Sequence, residues 1–135
     1  MLKPIVVLDT NIYISATFWT GKPYHVVQKA IEQDIVAFVS DDIIREIRKV
    51  LSRDFSISKE EIDEVIKAVM LFTHMISPRK KISLIKEDPE DDRILECAQA
   101  CNADYIVTQD NHLLRLKKFQ KTLILTPQEF LEKCI

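Results

Sequence analysis

Short apolar runs alternate with longer segments of helical periodicity along this chain. Runs of this kind, with no polar residue inside them, are typical of strands buried on both faces of a parallel sheet. The predicted strands are Ile5 to Leu8, Val36 to Val39, Tyr105 to Val107, Leu123 to Leu125 and a weaker one around Met75 and Ile76. Between them, apolar residues recur every three or four positions, which indicates amphipathic helices.

This alternation predicts an α/β protein whose parallel strands are joined by right-handed helical crossovers. The expected architecture is a three-layer α/β/α sandwich with a central parallel sheet of four or five strands. Start signals support the helix assignments. They are Ser40 before Asp41, Ser58 with Glu61 three residues later, Asp88 before Pro89, and Thr126 before Pro127. At 135 residues, the chain is expected to form one domain spanning residues 1–135.

Composition excludes several classes of protein. A dinucleotide fingerprint and a P-loop need several glycines, but the chain has only Gly21. No apolar run approaches the ~18 residues of a membrane span, and no secretory signal is evident. Three cysteines, an odd number, argue against a disulfide framework and favour the cytoplasm. The net charge of -2 does not indicate nucleic-acid binding by bulk electrostatics.

Two aspartates follow predicted strands that are far apart in sequence. Asp9 comes directly after Ile5 to Leu8, and Asp110 follows Tyr105 to Val107 after two polar residues. Open parallel sheets place their ligand sites at the carboxyl ends of strands, so the two carboxylates are expected to share a pocket. Acidic pockets commonly hold a divalent cation. The competing interpretation of Asp9 is a helix N-cap without further function.

Two further segments offer acids to the same pocket. Glu46 lies on the flank of the apolar stripe centred near Ile47, although a solvated pairing with Lys49 or Arg45 is an alternative. In the segment EDPEDDRILECA, Asp88 suits an N-cap and Asp91 a capping-box position. Asp92 has the least structural explanation and is therefore the third candidate, with Asp91 as the fallback.

Such a group of carboxylates predicts oxygen-ligand chemistry. Like charges held together need a counter-charge, and Mg²⁺ or Mn²⁺ would supply it. The expected reaction is metal-assisted phosphodiester hydrolysis. Cys97 and Cys101 begin no complete zinc site and are better explained as buried apolar residues. His112 is more often surface than ligand in such a loop. The aromatics after the first strand suit a core or dimer surface, with stacking on RNA bases as the alternative. They are Tyr13, Phe18, Trp19 and Tyr24.

Taken together, three stretches resemble a PIN domain: VVLDTNIYISA, DPEDDRILECAQACNADYIVTQDNHLL and the closing LTPQEFL. The resemblance is to small stand-alone prokaryotic PIN proteins of the VapC-toxin type. It implies an α/β/α fold and a Mg²⁺- or Mn²⁺-dependent endoribonuclease acting on single-stranded RNA. Carried onto this sequence, the four acids of the family fall on Asp9, Glu46, Asp92 and Asp110, and its polar supporting residues on Thr10, Asn11 and Thr108.

The same resemblance implies a homodimer and an antitoxin protein as partner. One position departs from the pattern, because His112 stands where many relatives have a further acid. Two other classes remain in view. An acidic-pocket phosphatase would want a second aspartate at position 11, where Asn11 stands. A non-catalytic PIN-like binding module would retain the fold without the reaction.

Overall fold

A computed structural model describes residues 2–134, which form a mostly parallel sheet flanked by helices. The strands β1 to β6 span Ile5–Leu8, Val36–Val39, Thr73–Met75, Tyr105–Val107, Lys118–Phe119 and Thr122–Leu125. The helices α1 to α7 span Thr10–Phe18, Lys22–Ile31, Asp41–Phe55, Lys59–Phe72, Pro89–Cys101, Asn111–Leu114 and Pro127–Lys133. The predicted α/β architecture is therefore confirmed.

The sheet has the order β3-β2-β1-β4-β6-β5. The five strands β3, β2, β1, β4 and β6 run parallel to one another. The edge strand β5 pairs antiparallel with β6 through two residues on each strand. The prediction of four or five strands covered the parallel part of the sheet. It omitted β5, because Lys118–Phe119 is too short to show a hydrophobic pattern.

The position of β1 determines where a ligand site can form. Val6, Val7 and Leu8 are completely buried. β1 pairs with β2 on one side and with β4 on the other. The chain order therefore reverses at β1, and the crevice outside the carboxyl ends of β1 and β4 is a topological switch point.

Local capping chemistry sets the helix starts that the sequence predicted. Capping boxes open α4 and α7, from Ser58 and Thr126 respectively. Asp88 caps α5, where its side chain accepts a hydrogen bond from the Glu90 backbone N–H. Asp9 caps α1 and accepts from the Thr10 backbone N–H. α5 then packs against β1, β2 and β4, which brings its first turn to the switch point.

The segment between β3 and α5, residues 76–88, is attached to α5 by two buried carboxylates. Asp92 Oδ1 accepts hydrogen bonds from the backbone N–H groups of Leu84 and Ile85, at 3.1 and 2.9 Å. Glu96 Oε2 accepts from the Ile82 backbone N–H at 2.9 Å. The segment has no strand or helix partner for these donors, so the α5 side chains replace a backbone ladder.

Among residues 2–134, no helix combines the length and the apolar character needed to cross a bilayer.

Candidate metal and active site

A cavity of about 330 Å³ opens at the carboxyl ends of β1 and β4. Acidic side chains from four regions of the chain line it: Asp9, Asp42, Glu46, Asp88, Glu90, Asp91 and Asp110. An apolar wall also lines the cavity, made of Ile14, Trp19, Ile43, Val50, Phe55 and Ile94. The cavity therefore joins a concentrated negative charge to a surface that can bind a flat or aliphatic group.

Asp9 lies at the centre of a hydrogen-bonded group. Its Oδ1 accepts from the Thr10 backbone N–H at 2.7 Å. Its Oδ2 accepts from Thr108 Oγ1 at 2.6 Å and from Asn11 Nδ2 at 3.2 Å. Thr108 Oγ1 in turn accepts from the Asp110 backbone N–H at 2.9 Å. Thr10, Asn11 and Thr108, the predicted supporting residues, thus hold Asp9 in place and connect it to the loop that carries Asp110.

Burial dominates the electrostatics of Asp9, whose exposed fraction is only 6%. Desolvation raises its pKa to about 6, partly offset by the hydrogen bonds from Thr108 and Thr10. The nearby charges of Asp110 and Asp88 raise the pKa further. In the absence of a cation, this carboxylate is therefore hard to ionise.

A second group lies where α5 and α6 begin. Asp88, Asp91, Asp110 and His112 each offer one ligand atom, and these atoms all lie within 4.8 Å of one another. Asp88 is the N-cap of α5 and Asp91 lies in its first turn, whereas Asp110 and His112 come from the N-cap and first turn of α6. Residues distant in sequence thus converge on one point.

Asp91 is the least satisfied member of this group. Its side chain is 6% exposed, and its Oδ2 has no hydrogen-bond partner among the described residues. Burial raises its pKa to about 8, and the charges of Asp110, Asp9 and Asp88 add to that effect. A buried carboxylate oxygen without a donor is costly unless a cation or a proton binds there.

Glu46 lies in the cavity beside Glu90. Burial raises the pKa of Glu46, and the adjacent Glu90 carboxyl raises it further, while Lys49 and Arg53 act in the opposite direction. The contact with Lys49 that the sequence suggested does exist, at 3.7 Å, but it does not remove Glu46 from the cavity. The two glutamates form an acidic pair in the lining of the cavity.

The structure does not bring Asp92 to the cavity. Asp92 is buried, and its Oδ1 is occupied by the two backbone N–H groups of Leu84 and Ile85. Asp91, the fallback, occupies the place expected of the third acid. The helical pattern alone could not separate these neighbours, because the partner that claims Asp92 is a non-periodic segment.

Three further residues lie at the site although none was among the predicted site acids: the sequence pattern predicted a capping role for Asp88 and a surface place for His112, and Glu90 was not singled out. Asp88 is the N-cap of α5 and also contributes an oxygen to the cluster. Glu90 lines the cavity, and His112 belongs to the cluster. The available signal was the run Asp88 to Asp92, since four acids within five residues exceed what capping one helix requires.

The apolar wall of the cavity includes two aromatic side chains, Trp19 and Phe55. The rings of Phe18 and Phe55 stack with centroids 4.4 Å apart, and Trp19 packs edge-on against both. Trp19 is 59% exposed. Tyr13, by contrast, is buried. The aromatics near the first strand therefore divide between the core and the wall of the site.

The residues present fit a hard divalent cation. The donors are carboxylate oxygens with one imidazole, and the described cysteines lie outside the cluster. The pKa values of Asp9 and Asp91 are raised, and Asp91 Oδ2 has no hydrogen-bond partner among the described residues, so both groups would be stabilised by a bound positive charge. A divalent cation coordinated by these oxygens would satisfy both conditions.

Comparison with known proteins identifies the family. The PIN domain profile matches residues 5–112, so the chain belongs to the PIN domain family. No curated protein matches the chain significantly.

Three solved structures show the same fold. VapBC2 from Rickettsia felis, solved bound to a DNA fragment from its promoter, matches with a TM-score of 0.66 and 17% identity, over 90% of this chain and 98% of that one. The RRP44 PIN domain of T. brucei matches with a TM-score of 0.56 and 14% identity, over 98% of this chain and 81% of that one. FitAB bound to a DNA fragment matches with a TM-score of 0.54 and 14% identity, over 90% of this chain and 94% of that one.

Proposed function

We propose that this protein is a metal-dependent endoribonuclease that hydrolyses phosphodiester bonds in single-stranded RNA, with Mg²⁺ or Mn²⁺ as cofactor. The observation that carries the proposal is the convergence of Asp88, Asp91 and Asp110 beside the buried Asp9. A chain of the PIN family that gathers these carboxylates at a switch point has the arrangement expected of a nuclease.

Asp88, Asp91 and Asp110, whose carboxylate oxygens lie within 4.8 Å of one another, would hold the cation, with Asp9 beside them in the cavity. Hydrogen bonds from Thr108 and Asn11 fix the orientation of the Asp9 carboxylate. This carboxylate therefore need not rearrange when a cation binds to the site. A bound divalent cation supplies polarisation of the scissile phosphate and activation of the attacking water. In this proposal Asp92 keeps the structural role that its hydrogen bonds define, and Asp91 takes the third acidic position.

Glu46, beside Glu90, is proposed to accept the proton that the attacking water loses. Burial and the neighbouring Glu90 carboxyl raise the pKa of Glu46, which brings it closer to the range that suits a general base. In its ionised form Glu46 would accept the proton of the attacking water, with Glu90 beside it in the cavity. This assignment gives Glu46, predicted as a catalytic and metal-binding acid, a role in the cavity beside the cation cluster.

The aromatic wall supports a single-stranded substrate. Bases of unpaired RNA can leave the stack and lie against an aromatic ring, whereas bases inside a duplex cannot. Trp19 offers an exposed ring in the same cavity as the carboxylates. Hydrolysis of phosphomonoesters, the rival activity, gives no reason for such a wall.

The test is cleavage of a labelled single-stranded RNA by the purified chain. We expect internal cleavage with Mn²⁺ or Mg²⁺, no cleavage with chelator, and restoration on adding excess cation. The parallel substrate is a phosphomonoester, on which we expect no turnover. Cleavage that persists in chelator would reject the metal mechanism. Turnover of the phosphomonoester alone would favour an acidic-pocket phosphatase. The absence of both activities would favour a non-catalytic binding module.

We further propose that the protein is the toxin of a toxin–antitoxin pair, forms a homodimer and acts in the cytoplasm. The fold shared with VapBC2 and FitAB supports this assignment. Expression of the wild type should arrest bacterial growth, and Asp91→Asn should relieve that arrest. The protein encoded next to the gene should bind the purified chain and suppress its cleavage of RNA. Light scattering should give twice the mass of one chain.

A further inference from the structure

His112 occupies an unusual position for a surface histidine. It lies in the first turn of α6, and its backbone N–H donates to Asp110 Oδ1 at 2.8 Å. Its ring Nδ1 is buried and has no hydrogen-bond partner within residues 2–134. The ring therefore directs an unsatisfied nitrogen toward the interior of the cluster while the rest of the side chain is partly exposed.

The distances around this nitrogen are slightly longer than those between neighbouring ligands of one cation. Nδ1 lies 3.7 Å from Asp91 Oδ2 and 3.6 Å from Asp110 Oδ1. Both distances exceed the ~3.2 Å limit of an ordinary N–H···O hydrogen bond. With metal–ligand bonds of about 2.1 Å, neighbouring ligands on one cation lie roughly 3.0 to 3.5 Å apart. A shift of a few tenths of an ångström would therefore bring Nδ1 to the spacing of a neighbouring ligand from each of the two oxygens.

Two unpartnered atoms face the same point from separate helices. Asp91 Oδ2 comes from α5 and His112 Nδ1 from α6, and neither has a partner in the part of the chain described. An oxygen acceptor and a ring nitrogen that both lack partners are satisfied together by one cation. A proton alone could bind to either atom, but at these separations it could not bridge them.

We infer that His112 is a metal ligand through Nδ1, and that it makes the site select Mn²⁺ over Mg²⁺. The inference deepens the proposed function and depends on its metal site. Mg²⁺ favours oxygen ligands and keeps several waters, whereas imidazole nitrogen suits transition metals better. A cluster of Asp88, Asp91, Asp110 and His112 thus presents a mixed donor set in which nitrogen favours Mn²⁺.

The direct test is pulsed electron paramagnetic resonance of Mn²⁺ bound to the chelator-treated, metal-stripped protein. Electron spin-echo modulation from a directly bound imidazole ¹⁴N should appear in the wild type. It should vanish in His112→Asp, which keeps an oxygen ligand at the same place. His74→Gln is the matched control, because His74 is exposed on β3 and outside the cluster. This control should keep the nitrogen signal.

Competition binding supplies the second readout. The wild type should bind Mn²⁺ at least tenfold more tightly than Mg²⁺, and His112→Asp should reduce that ratio several-fold. Mn²⁺ binding with no nitrogen signal in the wild type would overturn the ligand role of His112 and leave the proposed nuclease intact. No Mn²⁺ binding at all would overturn both. The wild-type spectrum alone decides whether His112 is a ligand, so this outcome does not depend on whether His112→Asp folds.

Discussion

Asp91 and Asp92 are adjacent and both are buried, yet their surroundings differ completely. Asp92 accepts two backbone hydrogen bonds, whereas Asp91 Oδ2 has no partner among the described residues. Burying an ionised oxygen without a donor destabilises a fold, and hydrogen bonds to a carboxylate stabilise it. The two neighbours should therefore respond to substitution in opposite directions.

Metal-free stability should show that contrast. Burial and the neighbouring acids disfavour the ionised form of Asp91, so folding near neutral pH must take up a proton there or bury a repelled charge. Asp91→Asn removes that cost, so the free energy of unfolding in chelator should stay equal or rise. Asp92→Ala leaves the N–H groups of Leu84 and Ile85 without an acceptor and should lower it by about 1–3 kcal/mol. Urea denaturation at neutral pH measures both changes. A large loss of stability in Asp91→Asn would contradict this assignment.

The pH dependence of stability follows from the raised pKa values of Asp9 and Asp91. A carboxyl whose folded pKa is above its unfolded value binds protons more tightly in the folded state. Its contribution to stability is complete below about pH 4 and is lost as the pH rises through its folded pKa. The metal-free protein should therefore lose stability between about pH 4 and pH 8.

Chemical denaturation across that range measures this effect. In metal-free Asp91→Asn, the free energy of unfolding should fall less steeply toward pH 8 than in the wild type, because the pKa of Asp91 is about 8. Saturating Mn²⁺ should reverse the slope for the wild type, since a cation binds the ionised carboxylates and so stabilises the folded state more at higher pH. Metal-free stability that increases steadily from pH 4 to pH 8 would contradict the clustering of these acids.

Some site residues could be predicted individually, and others could not. Asp9 and Asp110 follow strands, so their place at the sheet edge follows from the pattern of buried strands. Asp91 and Asp92 could not be separated, because the hydrogen-bond donors that claim Asp92 come from segment 76–88, which has no periodicity. The place of His112 depends on the start of α6 lying close to the start of α5, which no local sequence pattern predicts.

At the scale of elements, the start of α5 serves two purposes. Asp88 caps the helix through the Glu90 N–H and also contributes an oxygen to the cluster. Helix N-termini favour negative charge, so three further acids in the first turn add little strain there. The cluster is thus assembled where the helix dipole reduces the cost of gathering carboxylates.

Asp88→Asn should separate these two purposes. Asparagine caps helices as well as aspartate does, so metal-free stability should change by less than about 0.5 kcal/mol. The stabilisation given by Mn²⁺ should shrink, because one charged ligand is lost. Thermal melting with chelator and with saturating Mn²⁺ measures both. Ser58→Ala, at a capping box remote from the cluster, is the control: it should cost about 1 kcal/mol and keep the whole metal shift.

Elements were easier to predict than their contacts. The strands β1, β2 and β4 coincide with the predicted apolar runs, and the capping box of Ser58 and Glu61 is present as expected. These features depend on local periodicity and on hydrogen bonds three residues apart. The strand β5 was missed, because two residues paired only with β6 leave no such signal.

At the scale of the whole molecule, one cavity is lined both by the acidic cluster and by a wall that carries the aromatic side chains of Trp19 and Phe55. The chain has one tryptophan, Trp19, and it lies on that wall. Intrinsic fluorescence therefore reports directly on this side of the cavity. Stacking of a base on the indole should quench the emission.

We expect a single-stranded oligoribonucleotide to quench Trp19 emission when Mn²⁺ is present and Asp91→Asn prevents cleavage. An oligomer of equal length with abasic positions should quench much less, and a duplex hardly at all. When Trp19→Ala is added to Asp91→Asn, the affinity for the single strand should fall by about 5- to 150-fold, since stacking on one base is worth about 1–3 kcal/mol. Equal quenching by the abasic oligomer would show that Trp19 does not contact bases.

The most direct test of the central claim is the initial rate of RNA cleavage by Asp91→Asn beside that of Asp92→Asn, both with saturating Mn²⁺ on one single-stranded substrate. The two variants remove the same charge from adjacent buried positions. We predict that Asp91→Asn has no metal-dependent cleavage above background, while Asp92→Asn stays within tenfold of the wild type. Full activity in Asp91→Asn, with activity abolished in a folded Asp92→Asn, would contradict the assignment of the cluster as the active site.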